Sequence, residues 1–296
     1  MVFVLILLLF GLILLLYLRN QKLKKLSLDL DRLLHDGTPL PIREYREGEL
    51  SVLSNQLQKV TIRLMESAEQ SKMDQQRLAD ALANISHQLR TPLTAMNLTA
   101  VLLSGPALTE QRRSELNIEL RSLLNRTEWL VESLLKLSKL DAGTVAMTKE
   151  HIPLKSLINR ASAPLEIAMD LRDQQFVVSC GEEILAVDPV WTAEALGNIL
   201  KNCSEHTPAG GTISVSVQEN ALYTAIIVED TGPGFDARDI PHLFERFYKG
   251  ANASESSYGI GLALARTIIT AQNGTIQAVN GAKGARFEIR FYKCVI

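Results

Sequence analysis

One stretch constrains this chain more than any other: residues 1–18 carry no charged side chain, and only Gly11 and Tyr17 among them are not strongly apolar. At about 1.5 Å of rise per residue, an apolar helix of that length just crosses a bilayer core of roughly 30 Å. A cleaved signal peptide is the competing reading. Against it, no basic region precedes the apolar run and no small-x-small cleavage site follows. Arg19, Lys22, Lys24 and Lys25 come directly afterwards. The positive-inside bias therefore predicts a single-pass anchor in a cell membrane, with everything downstream cytoplasmic.

The charge balance, 31 basic against 33 acidic residues, gives no reason to expect direct nucleic-acid binding. Cys180, Cys203 and Cys294 are far apart and lack CxxC or His/Cys spacing, which suits reduced, mostly buried thiols and implies no metal site. Residues 19–75 are polar and charged, with two helical pieces, 26–34 and 47–69, flanking a break at Gly37, Pro39 and Pro41. Such a juxtamembrane segment resembles a HAMP-type relay module, with a plain helical linker as the alternative.

Further on the pattern becomes regular. Leu78, Leu82, Ile85, Leu89 and Met96 make a stripe at helical spacing, with Leu93 close to it. After Ser104-Gly105-Pro106 a second stripe follows: Leu116, Leu120, Leu123, Thr127, Leu130, Leu134 and Leu137. Two helices joined by a short Gly-Pro turn predict an antiparallel hairpin over 76–143, ended by Gly143. A hairpin has one seam to bury, so two copies pairing as a four-helix bundle predict a homodimer. Packing on its own chain is the alternative.

From 144 to 296 the text alternates. Helices are expected at 154–171, 189–206 and 262–272, and strands at 176–180, 212–217, 223–228, 275–279 and 286–291. This predicts an α/β sandwich with helices stacked on one face of a mixed sheet.

Three features in this region suit phosphate chemistry. Asn198 and Asn202 stand i, i+4 on one helical face, where two amide oxygens can complete the shell of a Mg²⁺ held mainly by water and phosphates. Asp230-Thr231-Gly232-Pro233-Gly234 closes a strand; its carboxylate can accept from an exocyclic amino group, and Gly232 and Gly234 permit close backbone approach. Gly259-Ile260-Gly261 opens a helix whose free N–H groups and dipole favour phosphate. Each has a bland alternative: solvated asparagines, a common turn, an ordinary glycine turn. No Walker-type GK[ST] occurs.

Taken in order, NILKN (198–202), EDTGPGF (229–235), LFERFYKG (243–250) and YGIGLALA (258–265) resemble the boxes of the GHKL (Bergerat) ATP-binding family. The resemblance implies ATP as ligand, Asp230 on the adenine amino group, Asn198 and Asn202 on Mg²⁺, and Gly259 and Gly261 on phosphates. It also implies a lid over 237–257 and makes His206 a nucleotide-contact candidate. Two departures stand out. Ser256-Ser257-Tyr258 replaces the glycines that many relatives carry before the turn. Glu205 replaces a lysine, leaving Lys201, Arg246 or Lys249 as the phosphate-facing cation.

Upstream, Ile85-Ser86-His87-Gln88-Leu89-Arg90-Thr91-Pro92-Leu93 is similar to the H-box of the HisKA sensor kinases. His87 lies two residues past Ile85, about 200° around the helix, and so leaves the apolar stripe for solvent. Pro92 should bend the helix one turn later. The resemblance implies an autokinase of a two-component system that phosphorylates His87 from ATP and passes the group to an aspartate of a response regulator. Thr91 could orient water for the reverse dephosphorylation. Gln88 departs from the acidic residue common there: its oxygen can hold the imidazole tautomer but cannot take the proton. The competing functions are a GHKL hydrolase with Glu194 as base, and a signalling scaffold dominated by phosphatase activity.

Overall fold

The structure, a computed structural model, describes residues 2–36, 49–105, 108–250 and 257–293. The expected break at Gly37, Pro39 and Pro41, Pro106, Cys294 and residues 251–256 of the expected lid lie outside the described residues. The chain divides into two compact units, Met1–Leu82 and Ala83–Ile296.

In the first unit, α1 (Val2–Asp36) is one helix, so the piece expected at 26–34 continues the apolar segment instead of standing apart. Its window Phe3–Gln21, 19 residues of mean hydropathy 2.4 with none of it buried, is long and apolar enough to cross a membrane. Helix α2 (Glu49–Leu103) also runs without interruption, so the boundary expected at 75/76 falls inside a helix. Residues 70–77 contain neither Gly nor Pro, and Gln70 Nε2 donates to Asp74 Oδ1 at 3.0 Å, an i, i+4 pair that supports the helix.

In the second unit, α2 continues through Pro92 and α3 (Glu110–Asp141) follows. Thr109 caps α3, its hydroxyl accepting from Arg112 N at 3.3 Å, and Gly143 takes the left-handed φ of +62° just past the end. Leu116, Leu130 and Leu137 of the predicted stripe are buried. Leu93, Leu98, Leu124, Val131 and Leu135 of the same hairpin are exposed.

The α/β part contains β1 (Glu150–Pro153), α4 (Leu154–Ser162), a 3-10 turn at Ala163–Leu165, α5 (Glu166–Asp170), β2 (Gln175–Ser179), β3 (Ile184–Val187) and α6 (Pro189–His206). Then come β4 (Thr212–Glu219), β5 (Tyr223–Asp230), a 3-10 turn at Ile240–His242, α7 (Gly261–Ala271), β6 (Gly274–Asn280) and β7 (Ala285–Tyr292). The single helix expected at 154–171 is broken at Pro164, whose missing N–H and ring cannot continue the α-helical ladder. The five-stranded sheet has the order β2-β4-β5-β7-β6; β2 and β4 are parallel and the other neighbours antiparallel. Strands β1 and β3, absent from the sequence reading, pair antiparallel as a separate ribbon.

On β7 the side chains alternate: Ala285, Phe287, Ile289 and Phe291 are buried, joining α4, α6 and α7 in one core that also takes in Leu130 and Leu137 of α3. On the other side of the pleat Arg286, Glu288 and Arg290 pair in register with Glu229, Ile227 and Ala225 of β5. Their stems and ion pairs, Arg286–Glu229 at 2.8 Å and Arg290–Glu288 at 2.6 Å, screen that apolar strand from water.

Candidate functional site

Helix α6 is fixed at its start. Asp188 Oδ1 accepts from Val190 N and Trp191 N at 3.0 and 3.1 Å, Pro189 supplies a preset φ, and the Asp188 N–H donates to Gln272 Oε1 at 2.7 Å. With Leu196, Ile199, Leu200 and Cys203 facing the core, Asn198 and Asn202 are turned to a cleft of about 320 Å³. Asn198 Nδ2 donates to the Glu194 carbonyl at 2.9 Å, which orients the amide oxygen outward.

Strand β5 ends on Asp230, only 4 % exposed. Its Oδ1 accepts from Gly232 N at 2.9 Å and Ala285 N at 3.0 Å, while its buried Oδ2 has no partner. A buried carboxylate oxygen left unpaired is costly unless a ligand donor fills it. Gly232 does not line the cleft; it holds Asp230, and a Cβ there would stand 2.8 Å from the His206 carbonyl. Gly234, with φ +74°, does line it, and the following turn is clamped by Asn280, which accepts from Phe235 N at 2.7 Å and donates to Phe235 O at 2.9 Å.

Gly259 has φ +69° and packs against the Phe247–Tyr248 backbone so closely that a Cβ would overlap it. Phe247 N donates to Gly259 O at 2.8 Å, tying the two segments. Gly261 starts α7 beside Asn198, whose Oδ1 would be 3.1 Å from an added Cβ. No side chain caps α7, so its first N–H groups face the cleft, where an anion is favoured.

The structure thus brings Asn198, Asn202, His206, Asp230, Gly234, Lys249, Gly259 and Gly261 to one cleft. Lys201 also lines it, 3.9 Å from Glu205 and 4.6 Å from the centre of the Trp129 ring. Arg246 does not: its guanidinium pairs with Asp141 at 2.7 Å. Partial desolvation at the cleft edge pulls the Lys249 ammonium below its ordinary pKa, and the nearby charge of Arg126 pulls it further. His87, Gln88 and Thr91 lie outside the cleft lining. His87 is exposed, and the Thr91 hydroxyl donates to its carbonyl at 3.3 Å, one helical turn along. Glu194 is also outside the lining and pairs with Lys136 at 2.8 Å.

Sequence reasoning missed Asn125, Arg126 and Trp129, which α3 contributes to the lining, and the buried Tyr258, whose ring stacks on Trp129 at 6.3 Å. The only signal for Tyr258 was an aromatic where glycine is usual. Among the described residues no group of three His, Cys, Asp or Glu side chains is placed to hold a metal. The available oxygens are the amides of Asn198 and Asn202, a donor set that fits a Mg²⁺ carried mainly by phosphates and water.

Residues 187–293 match the family described as histidine kinase-, DNA gyrase B-, and HSP90-like ATPase. Residues 77–143, upstream of it, match the His Kinase A (phospho-acceptor) domain. The chain belongs to the sensor histidine kinases. Among relatives of this family, the sensor protein SphS of Synechococcus elongatus is 31% identical over 221 residues, covering 67% of this chain and 50% of SphS. The Acinetobacter baumannii histidine kinase AdeS shares the fold at TM-score 0.60 and 23% identity, over 70% of this chain and 97% of that one. So does the histidine kinase ThkA in a complex with the response regulator protein TrrA, at TM-score 0.59 and 20% identity, over 77% of this chain and 66% of that one. The chain spans half or less of the length of SphS and of the related sensors KdpD and WalK.

Proposed function

We propose that this sensor kinase chain binds ATP in the cleft between α6 and α7, phosphorylates its own His87, and passes the phosphoryl group to an aspartate of a response regulator. The observation that carries the reading is the unpaired, buried Oδ2 of Asp230. It shares a cleft with the uncapped start of α7, downstream of an exposed histidine. Asp230 Oδ2 accepts from the adenine amino group; the N–H groups around Gly259 and Gly261 receive the phosphates, with Lys249 and Lys201 adding positive charge. Asn198 and Asn202 would hold Mg²⁺, which when bound would neutralise phosphate charge.

His87 then attacks the γ-phosphorus through a neutral ring nitrogen; the N–P bond forms, the bond to the β-phosphate oxygen breaks, and ADP leaves. The ring proton departs to water or phosphate, since Gln88 accepts hydrogen bonds but not protons. Thr91, held on the His87 carbonyl, lies on the face where water would approach for phosphatase chemistry. Glu194 serves no hydrolytic step in this scheme, being paired with Lys136. Several features support the cellular setting. The Phe3–Gln21 helix suits a single-pass membrane anchor, the basic residues after it suit a cytoplasmic catalytic region, and the exposed hairpin leucines suit a homodimer. The ThkA–TrrA complex is consistent with a response-regulator partner for this fold.

The test is incubation of the full chain with radiolabelled ATP. Acid-labile label that disappears in His87→Ala is the expected result. Acid-stable label, or label that survives that substitution, sinks the reading.

A further inference from the structure

The cleft is not walled by the α/β sandwich alone. Asn125, Arg126 and Trp129 of the hairpin helix α3 line it beside Lys201, Lys249 and the Gly259 turn. The Arg126 guanidinium lies 5.7 Å from the centre of the Tyr258 ring, and Tyr258 immediately precedes Gly259. Tyr258 is itself buried and stacked on Trp129. Arg126 is therefore fixed at the glycine-turn end of the cleft by an aromatic platform. Lys249 comes close enough to feel its charge. Two cations gathered at one end of a cleft, next to an uncapped helix start, give that end a positive potential that favours a polyphosphate.

We propose that Arg126 is a nucleotide-phosphate ligand, so that the ATP site of this chain is completed by its hairpin. This rests on the ATP reading above and names a residue that the ATP-binding boxes do not contain. A planar guanidinium offers two parallel donors to a phosphate, where lysine is a point charge. Bound polyphosphate would then bridge the sandwich, through Gly259 and Lys249, to the hairpin that carries His87. Adenosine, lacking phosphates, would not. The alternative is that Arg126 only packs α3 against Tyr258.

The experiment measures dissociation constants of ATP, ADP and adenosine by equilibrium dialysis on the full chain in detergent, with Mg²⁺. Variants are Arg126→Gln, Arg126→Lys and, as a control on the base site, Asp230→Asn. Arg126→Gln is expected to weaken ATP and ADP about tenfold and leave adenosine unchanged, the usual size of a lost charge-assisted hydrogen bond. Arg126→Lys should recover part of that loss, which covers the case in which the glutamine variant folds poorly. Asp230→Asn should weaken all three ligands. If Arg126→Gln weakens all three equally, or none, Arg126 is a packing residue and the proposal is overturned while the ATP reading stands. If the unmodified chain binds no ATP, both fail together.

Discussion

The α/β sandwich and the helical hairpin hide their apolar side chains to very different degrees. Ile226, Val228, Leu264, Ile268, Phe287 and Ile289 are all wholly buried. On the hairpin Leu93, Leu98, Leu124 and Leu135 keep half or more of their surface, at 50 %, 61 %, 51 % and 57 %. Helix α3 divides between the two conditions: Leu130 and Leu137 join the sandwich core, while Val131 and Leu135 point away from it. The sandwich core is closed, with Leu130 and Leu137 of α3 as part of it. The hairpin is finished on one flank by the sandwich and on the other only by something outside the described chain, and apolar surface of this extent marks an interface.

The strongest way to sharpen that contrast is Phe287→Ala at the centre of the sheet. It should cost about 3–5 kcal/mol, read by urea unfolding. A loss under about 1 kcal/mol would mean that the core tolerates repacking far better than its burial implies. Next in size is Val131→Glu combined with Leu135→Glu. Two charges in the open seam should weaken self-association by at least about 100-fold, near 2.7 kcal/mol, in sedimentation equilibrium, without moving the affinity for ATP. An unchanged dimer would place the interface elsewhere.

A smaller effect comes from Cys203. Burial, and after it the neighbouring Asp230 carboxyl, raise its thiol well above the ordinary value of 9.0. The folded chain therefore keeps a proton that the unfolded chain loses above pH 9, and stability falls as pH rises, by at most about 1.4 kcal/mol per pH unit from this group. Below pH 9 the contribution is constant. Cys203→Ala should flatten the alkaline limb of a stability–pH curve relative to the unmodified chain, and identical limbs would refute the assignment. The smallest effect belongs to Lys136→Ala, which removes the ion pair between α3 and Glu194. Both side chains are about one-third exposed, so about 0.5 kcal/mol is expected in thermal unfolding. A loss above 2 kcal/mol would show the hairpin to be held on the sandwich far more by charge than by Leu130 and Leu137.

Legibility in the sequence followed the range of the interactions. Helix α6 was read to both ends because Asp188-Pro189 is a local start signal. Strands β4 to β7 were read because they are long, β-branched and aromatic. Strands β1 and β3, of four residues each, are too short to show a period, and Pro164 was passed over inside an otherwise helical run. In the site, the inner wall was written in glycines and paired asparagines, residues whose roles are set by backbone geometry. The outer wall was not. Arg126 and Trp129 approach Tyr258 across more than a hundred residues of chain, and Arg246 was drawn away to Asp141 by a partner equally remote. No local pattern reports such meetings.

Under the proposed ATP reading, the fixed carboxylate of Asp230 has a consequence for which purine the cleft admits. With Oδ1 already taken by two backbone donors and the side chain locked between Gly232 and Ala285, Oδ2 cannot rotate away. A base that presents an amino group at that point is welcomed. Guanine or hypoxanthine, with a carbonyl in the same place, would set lone pair against lone pair in a dry pocket. On that reading, discrimination between the energy currency of the adenylates and that of the guanylates would rest on one carboxylate oxygen.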